Sequence, residues 1–164
     1  MSEKIVGRGD LKGMAQALKK AGKTIVFTNG CFDLLHIGHV QYLESARAQG
    51  DILVVGLNSD SSVRKIKGPN RPVVPENERA EVLAALTCVD VVTIFEERDP
   101  LTTIRTIVPD VLVKGADWAE DAIVGRDVVE AAGGRVVRVP LTAGASTTKV
   151  IETILANFGG KENG

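Results

Sequence analysis

Apolar positions follow two alternating rhythms along this chain. Short, nearly unbroken runs rich in valine, isoleucine and leucine lie at about residues 24–28, 51–57, 89–95, 110–115 and 135–139. Turn-forming residues bound them, as expected of strands buried on both faces of a parallel sheet. Between the runs, apolar residues recur at helical spacing. Leu11, Met14, Ala15 and Leu18 do so over residues 9–21, before Gly22. Residues 40–49 follow the first strand and stop at Gly50. Val82, Leu83 and Leu86 follow Pro75, and Asp99-Pro100 reads as the N-cap and first position of another helix. Two more helices are predicted over 121–132, ending at Gly133-Gly134, and over 147–158, opened by Ser146. Strands alternating with helices predict an α/β fold: a single-domain, doubly wound, five-stranded parallel sheet.

The breaks in the pattern carry expectations too. Residues 1–8 read as a loose start, and residues 1–22 as an N-terminal packing helix ahead of the domain at 23–158. Asn58 to Ser62 reads as a polar turn. The basic segment from Arg64 to Gly68, followed by Pro69-Asn70-Arg71-Pro72, reads as a shaped loop. Residues 159–164 read as a flexible tail.

Composition narrows the class. The chain has 164 residues, enough for one domain with a good core, and a formal net charge of -1, which disfavours a nucleic-acid partner. Its 2 cysteines, Cys31 and Cys88, are too few for a disulfide scaffold and by themselves read as small apolar residues. No apolar run approaches membrane-spanning length and no signal peptide opens the chain, so the expected location is the cytoplasm, with no membrane association.

The candidate chemistry begins with the 2 histidines, His36 and His39, which share one glycine-containing turn between the first strand and the next helix. In an open α/β sheet such turns gather at one edge. Four segments should meet there: Gly30 to His39, Asn58 to Arg71, Lys114 to Trp118 and Gly144 to Lys149. They supply imidazoles, cations, hydroxyls and glycines, the inventory for a bound polyphosphate. Ser146 and Thr147 open a helix whose free N–H groups attract anions, although Ser146 can cap that helix with no ligand present. The basic run around Lys67 is equally compatible with a solvated loop, and Asp117-Trp118 with a surface turn. A zinc pair at His36 and His39 has no flanking glutamate or third ligand, and neither a Walker A motif nor G-x-G-x-x-G follows the first strand.

Gly30-x-Phe32-Asp33-x-x-His36-x-Gly38-His39, with the late Ser146-Thr147-Thr148, resembles the H-x-G-H nucleotidyltransferase superfamily. Over residues 23–156 the stretches Thr28–His36, Gly56–Val63, Lys67-Gly68, Arg71-Pro72-Val73, Glu78–Leu86 and Pro109–Gly115 are similar to the heptose 1-phosphate adenylyltransferases of ADP-heptose biosynthesis. Ala116 and Ala145 depart from that pattern, where glycine and cysteine are usual. Leu141 stands where related glycerol-3-phosphate cytidylyltransferases carry arginine.

The resemblance implies a Rossmann-like nucleotidyltransferase fold and transfer of AMP from ATP to D-glycero-β-D-manno-heptose 1-phosphate, releasing pyrophosphate. It implies catalytic roles for His36, His39 and Lys67. Nucleotide and phosphate binding falls to Asn29, Gly30, Cys31, Phe32, Asp33, Gly38, Lys114, Gly115, Asp117, Trp118, Ser146, Thr147 and Thr148. The sugar phosphate falls to Asn58, Asp60, Lys67 and Arg71. Gly30 and Gly38 are expected to let the nucleotide approach the backbone. Mg²⁺ is expected to arrive with ATP, near Asp33 and without a protein cage. A homodimer and a separate heptose kinase upstream are the implied partners. A cytidylyltransferase acting on an alcohol phosphate and a non-catalytic nucleotide-binding module are the alternatives.

Overall fold

The computed structural model describes residues 1–160 and contains the five predicted strands and seven α-helices, one more than the pattern predicts. They are α1 (Leu11–Lys20), β1 (Ile25–Gly30), α2 (Ile37–Arg47), β2 (Ile52–Asn58), α3 (Asp60–Lys67), α4 (Glu76–Ala84), β3 (Val91–Phe95), α5 (Leu101–Ile107), β4 (Val111–Gly115), α6 (Arg126–Ala131), β5 (Arg135–Val139) and α7 (Thr147–Phe158). The strands are all parallel, in the order β3-β2-β1-β4-β5. The chain winds one way from β1 to β3 and then crosses to the other side for β4 and β5. The switch point therefore lies between β1 and β4, where such folds bind ligands.

Two apolar layers sandwich the sheet. On one face Leu43 and Ala46 of α2 and Ala80 and Leu83 of α4 pack on Val26, Leu53 and Val113. On the other, Leu11 and Ala15 of α1, Ile104 and Ile107 of α5 and Val129 of α6 cover Ile25, Phe27 and Leu112. Side chains alternate across a strand, so a run with no polar interruption fills both layers at once.

The ladders explain where the sheet opens. β1 pairs with β2 from Ile25↔Ile52 to Gly30↔Leu57, whereas its pairing with β4 covers only Val26↔Val111 and Phe27↔Leu112. Beyond Phe27 the two strands part. Tyr42 of α2 spans the gap: its hydroxyl lies 2.8 Å from Thr28 Oγ1 and donates to the Val113 carbonyl at 3.2 Å. Burial pushes the phenol up to about 12, so it stays a neutral donor.

Four local expectations are corrected. Residues 58–68 are not a turn and loop, because Asp60–Lys67 forms α3. The serines that read as turn formers cap it: Ser59 Oγ accepts from the Ser62 N–H at 3.1 Å. Asp60 in the first turn and Arg64, Lys65 and Lys67 in the last complement the helix dipole, and Gly68, at φ +95°, ends it. The helix predicted over 121–132 is split by Gly125, at φ +87°, into a single 3-10 turn at Glu120–Ala122 and the shorter α6. α5 begins at Leu101, one residue later than predicted, with Asp99 Oδ1 accepting from the Leu101 N–H. The N-terminus is not loose: Ile5 bridges to Val92, and Lys4 Nζ donates to the Leu86 and Val89 carbonyls. Gly159 and Gly160 of the expected tail form a turn, and residues 161–164 lie outside the described residues.

Candidate active site

Where β1 and β4 part, the carboxyl ends of the strands surround a cleft of about 740 Å³. All four segments that the sequence assigned to this edge contribute. The β1 turn brings Asn29, Gly30, Cys31, Phe32, Asp33, His36, Gly38 and His39. β2 and α3 bring Asn58 and Lys67, with Arg71 just beyond. The β4 end brings Lys114, Gly115, Asp117 and Trp118, and the start of α7 brings Ser146, Thr147 and Thr148. Asp60 is the exception. It does not line the cleft, because its carboxylate is taken by the buried Arg79 guanidinium at 2.8 Å.

The two histidines stack, ring centroids 3.9 Å apart and 25° from parallel. His39 Nδ1 accepts from the His36 backbone N–H at 3.4 Å, so the neutral His39 ring carries its proton on Nε2. Burial, then the neighbouring His36 and Lys67 charges, hold the His39 imidazole down at about 4. Burial also lowers His36, whose Nδ1 is buried without a hydrogen-bond partner. Both rings are therefore neutral at pH 7, and each has one N–H to donate to an anion.

These shifts have a measurable consequence. A histidine whose folded value lies below its unfolded one binds protons more readily in the unfolded chain. Stability therefore rises with pH between the two values. The ligand-free protein is expected to lose about 1–2 kcal/mol between pH 6.5 and 4 through His39, after allowing for solvent screening. Urea unfolding across that range should show the loss, and His39→Gln should remove most of it. An unchanged slope in the variant assigns the acid sensitivity to other groups.

Two glycines of the turn lie tight against other parts of the chain. A Cβ at Gly30 would lie 2.9 Å from the Phe32 ring, and one at Gly38 would lie 3.0 Å from both Ala145 Cβ and His36 Nδ1. The glycines make room for the protein itself. Gly30 lets Phe32 fold back, at φ +42°, to a tilted contact with His39 at 5.3 Å. Gly38 lets the start of α7 press against the histidine turn, where Thr147 Oγ1 donates to the Leu34 carbonyl at 3.3 Å. Ser146 does cap α7, accepting from the Lys149 N–H at 3.1 Å. The Thr147 and Thr148 amides at the start of the helix have no intrahelical acceptor, the arrangement that favours anions at helix N-termini in general.

Asp33 is committed within the protein. Its carboxylate is buried and accepts from the Val73 and Val74 N–H groups at 2.9 Å and from Arg71 Nε at 2.7 Å. Burial alone would raise its pKa, but the Val74 and Val73 amides and the Arg71 guanidinium outweigh burial and hold it below the usual carboxylate range. Among the described residues, no three His, Cys, Asp or Glu side chains cluster to hold a metal ion. With Asp33 occupied, the residues present fit an ion carried by the nucleotide rather than one caged by the chain.

At the β4 end, Lys114 donates from Nζ to Asn29 Oδ1 and sits 5.4 Å over the Trp118 ring. Burial pulls it down to about 8 against the opposing effect of Asp117. A Cβ at Gly115 would lie 2.5 Å from Asp117 Oδ1 and 3.0 Å from Leu141 Cδ2, so this wall is closely fitted. Sequence reasoning missed Tyr42, Arg98 and Thr142, which also line the cleft, as does Leu141, and it assigned no role to Arg79. The aromatic and hydroxyl types at 42 and 142 gave a weak signal. Arg98 gave a cation next to a predicted helix start.

Comparison with known proteins agrees with this geometry. The chain is 54% identical over 155 residues to the bifunctional protein HldE of Syntrophotalea carbinolica, covering 94% of this chain and 32% of that protein. With HldE of Geobacter metallireducens it shares 55% over 156 residues, covering 95% and 32%. The chain thus spans about a third of the length of these relatives. The crystal structure of a lipopolysaccharide core biosynthesis protein from Thermoplasma volcanium GSS1 superposes with a TM-score of 0.62 at 30% identity, covering 74% of this chain and 98% of that one. Pantoate-beta-alanine ligase from Francisella tularensis, at 13% identity and TM-score 0.60 over 93% of this chain and 77% of that one, shares the fold. Residues 27–153 match the cytidylyltransferase-like family. With nearly all of the parallel sheet, the histidine turn and the start of α7 inside that span, the chain belongs to the cytidylyltransferase-like family of nucleotidyltransferases.

Proposed function

We propose that this chain transfers AMP from ATP to D-glycero-β-D-manno-heptose 1-phosphate, giving ADP-heptose and pyrophosphate. One observation carries the transferase part of this reading: stacked neutral histidines and the start of α7 meet at the switch point, facing the cations Lys67 and Arg71 across one cleft. The choice of heptose is supported by the sequence resemblance and by the identity to HldE.

The sugar phosphate oxygen attacks the α-phosphorus of ATP in line, and pyrophosphate departs. That oxygen is already anionic, so no general base is needed. Positioning and stabilisation of charge growing on the phosphoryl oxygens do the work. His36 and His39 donate to the α-phosphoryl and leaving oxygens. The first-turn amides of α7, with Ser146, Thr147 and Thr148, hold the β- and γ-phosphates. Lys67 and Arg71 receive the acceptor's phosphate. Trp118 and Asp117 take the adenosine beside the apolar wall at Leu141. A magnesium ion brought by ATP would supply charge neutralisation on the phosphates, with no carboxylate cage from the chain required to hold it. The same reading assigns the reaction to the cytoplasm, a heptose kinase to the preceding step and a homodimer to the working form. Among the described residues no helix is long and apolar enough to cross a membrane.

Pyrophosphate release, measured with ATP and CTP against a panel of sugar and alcohol phosphates, tests this. The highest kcat/KM is expected for ATP with the heptose 1-phosphate. Product from CTP with glycerol 3-phosphate, and none from the first pair, overturns the assignment. ATP binding with no turnover on any acceptor makes the chain a nucleotide-binding module instead.

A further inference from the structure

We infer that Arg79 is a positioning residue for phosphoryl transfer, setting the nucleotide turn and the acceptor cations at a fixed separation. This inference rests on the transferase reading above. Arg79 lies in α4, does not itself line the cleft, and has a fully buried side chain. A buried guanidinium is costly unless its donors are satisfied. Here every partner belongs to a segment that builds the cleft. Nη1 donates to the Cys31 carbonyl in the histidine turn at 2.6 Å and to the Asn58 carbonyl at the end of β2 at 2.9 Å. Nε donates to the Val74 carbonyl at 2.8 Å, and Nη2 to Asp60 Oδ1 at 2.8 Å.

The consequence is geometric. Asp60 opens α3, and Lys67 closes it on the cleft side. Val74 lies three residues beyond Arg71. Its peptide is gripped from both directions, since its N–H is held by Asp33 of the histidine turn and its carbonyl by Arg79. One cation thus ties the turn that carries His36 and His39 to both elements that carry Lys67 and Arg71. In-line attack needs the acceptor oxygen within near-attack range of the α-phosphorus, and a shift of about 1 Å can cost about 10²-fold in rate. Lysine keeps the charge, but its compact ammonium cannot span three carbonyls and a carboxylate from one site.

Arg79→Lys, assayed per folded protein by circular dichroism, separates positioning from stability. The expected result is a kcat lower by about 30–100-fold, with KM for ATP and for the sugar phosphate each within about threefold of wild type. A kcat within about twofold of wild type, or a loss carried by KM alone, overturns the inference. A second measurement serves where the variant fails to fold, or where the wild type turns over no substrate pair and the functional reading itself falls. The buried Arg79 Nε–H of the wild type is followed by NMR as ATP is added. A shift on nucleotide binding shows that the clamp responds to the site. A resonance that ATP leaves unmoved overturns the role.

Discussion

Alanine at His39 is expected to lower kcat by about 10²–10³-fold, the cost of removing one donor from developing charge in a transition state. His36→Ala is expected to fall in the same range. ATP affinity should change far less, because in the proposed binding mode the α7 amides and the cleft cations also hold the ground-state triphosphate. The structure gives this a specific basis. The His39 ring is oriented by its own turn, through the Nδ1 contact with the His36 N–H and the tilted packing of Phe32. Its donor is therefore preorganised before substrate arrives, and preorganised donors cost no reorganisation during the reaction. The stack adds a second effect. Two imidazolium rings with centroids 3.9 Å apart repel, so His36 helps keep His39 neutral. Removing His36 should raise the apparent pKa of His39 in an NMR titration, even as turnover falls. Single-turnover measurements with radiolabelled ATP check the rate loss. If both alanine variants keep near-normal turnover, the donors lie elsewhere in the cleft.

The turn, the parallel sheet and the helix at the α7 end were legible because their signals are local. An apolar run, a glycine and a capping serine each act within a few residues, and β5 and α7 fall at the predicted positions. What stayed hidden depends on contacts distant in sequence. Asp33 meets Arg71 across 38 positions, and Arg79 reaches Cys31 across 48. Nothing beside either residue announces its partner. Asp33 read as a possible neighbour of Mg²⁺ because a carboxylate in a phosphate site invites that role. The resemblance implied a sugar-phosphate contact for Asp60, but its carboxylate turns inward to Arg79. α3 was missed for a different reason. Asn, Ser and Asp favour turns and helix N-caps alike, and only the position of the next hydrophobic stripe distinguishes the two. In α3 that stripe is short, with Val63 buried and Ile66 exposed.

The largest expected stability effect follows from the commitment of Asp33. Asp33→Ala leaves two backbone N–H groups and the Arg71 guanidinium without their shared acceptor. Breaking a buried ion pair from one side costs about 3–5 kcal/mol, and Arg71's partial access to water places this case near the lower end. Asp33→Asn keeps one carbonyl acceptor for the Val73 and Val74 amides and loses the charge, so about half that cost is expected. The pH dependence identifies the group. A carboxylate whose folded value is depressed stabilises the protein above its unfolded value, near 3.9, and that stability is lost as pH falls through the folded value. The Asp33 contribution therefore disappears below about pH 4, beneath the window in which His39 acts. Urea unfolding of the wild type, His39→Gln and Asp33→Asn from pH 7 to pH 2.5 should show two separable acid steps, each variant lacking one. Activity should fall with Asp33→Asn as well, because Arg71 and the 73–74 peptide lose their anchor to the histidine turn, and the loss should appear mainly in KM for the sugar phosphate. An Asp33→Asn protein with wild-type stability at pH 7 would show that the carboxylate's charge does not hold this loop.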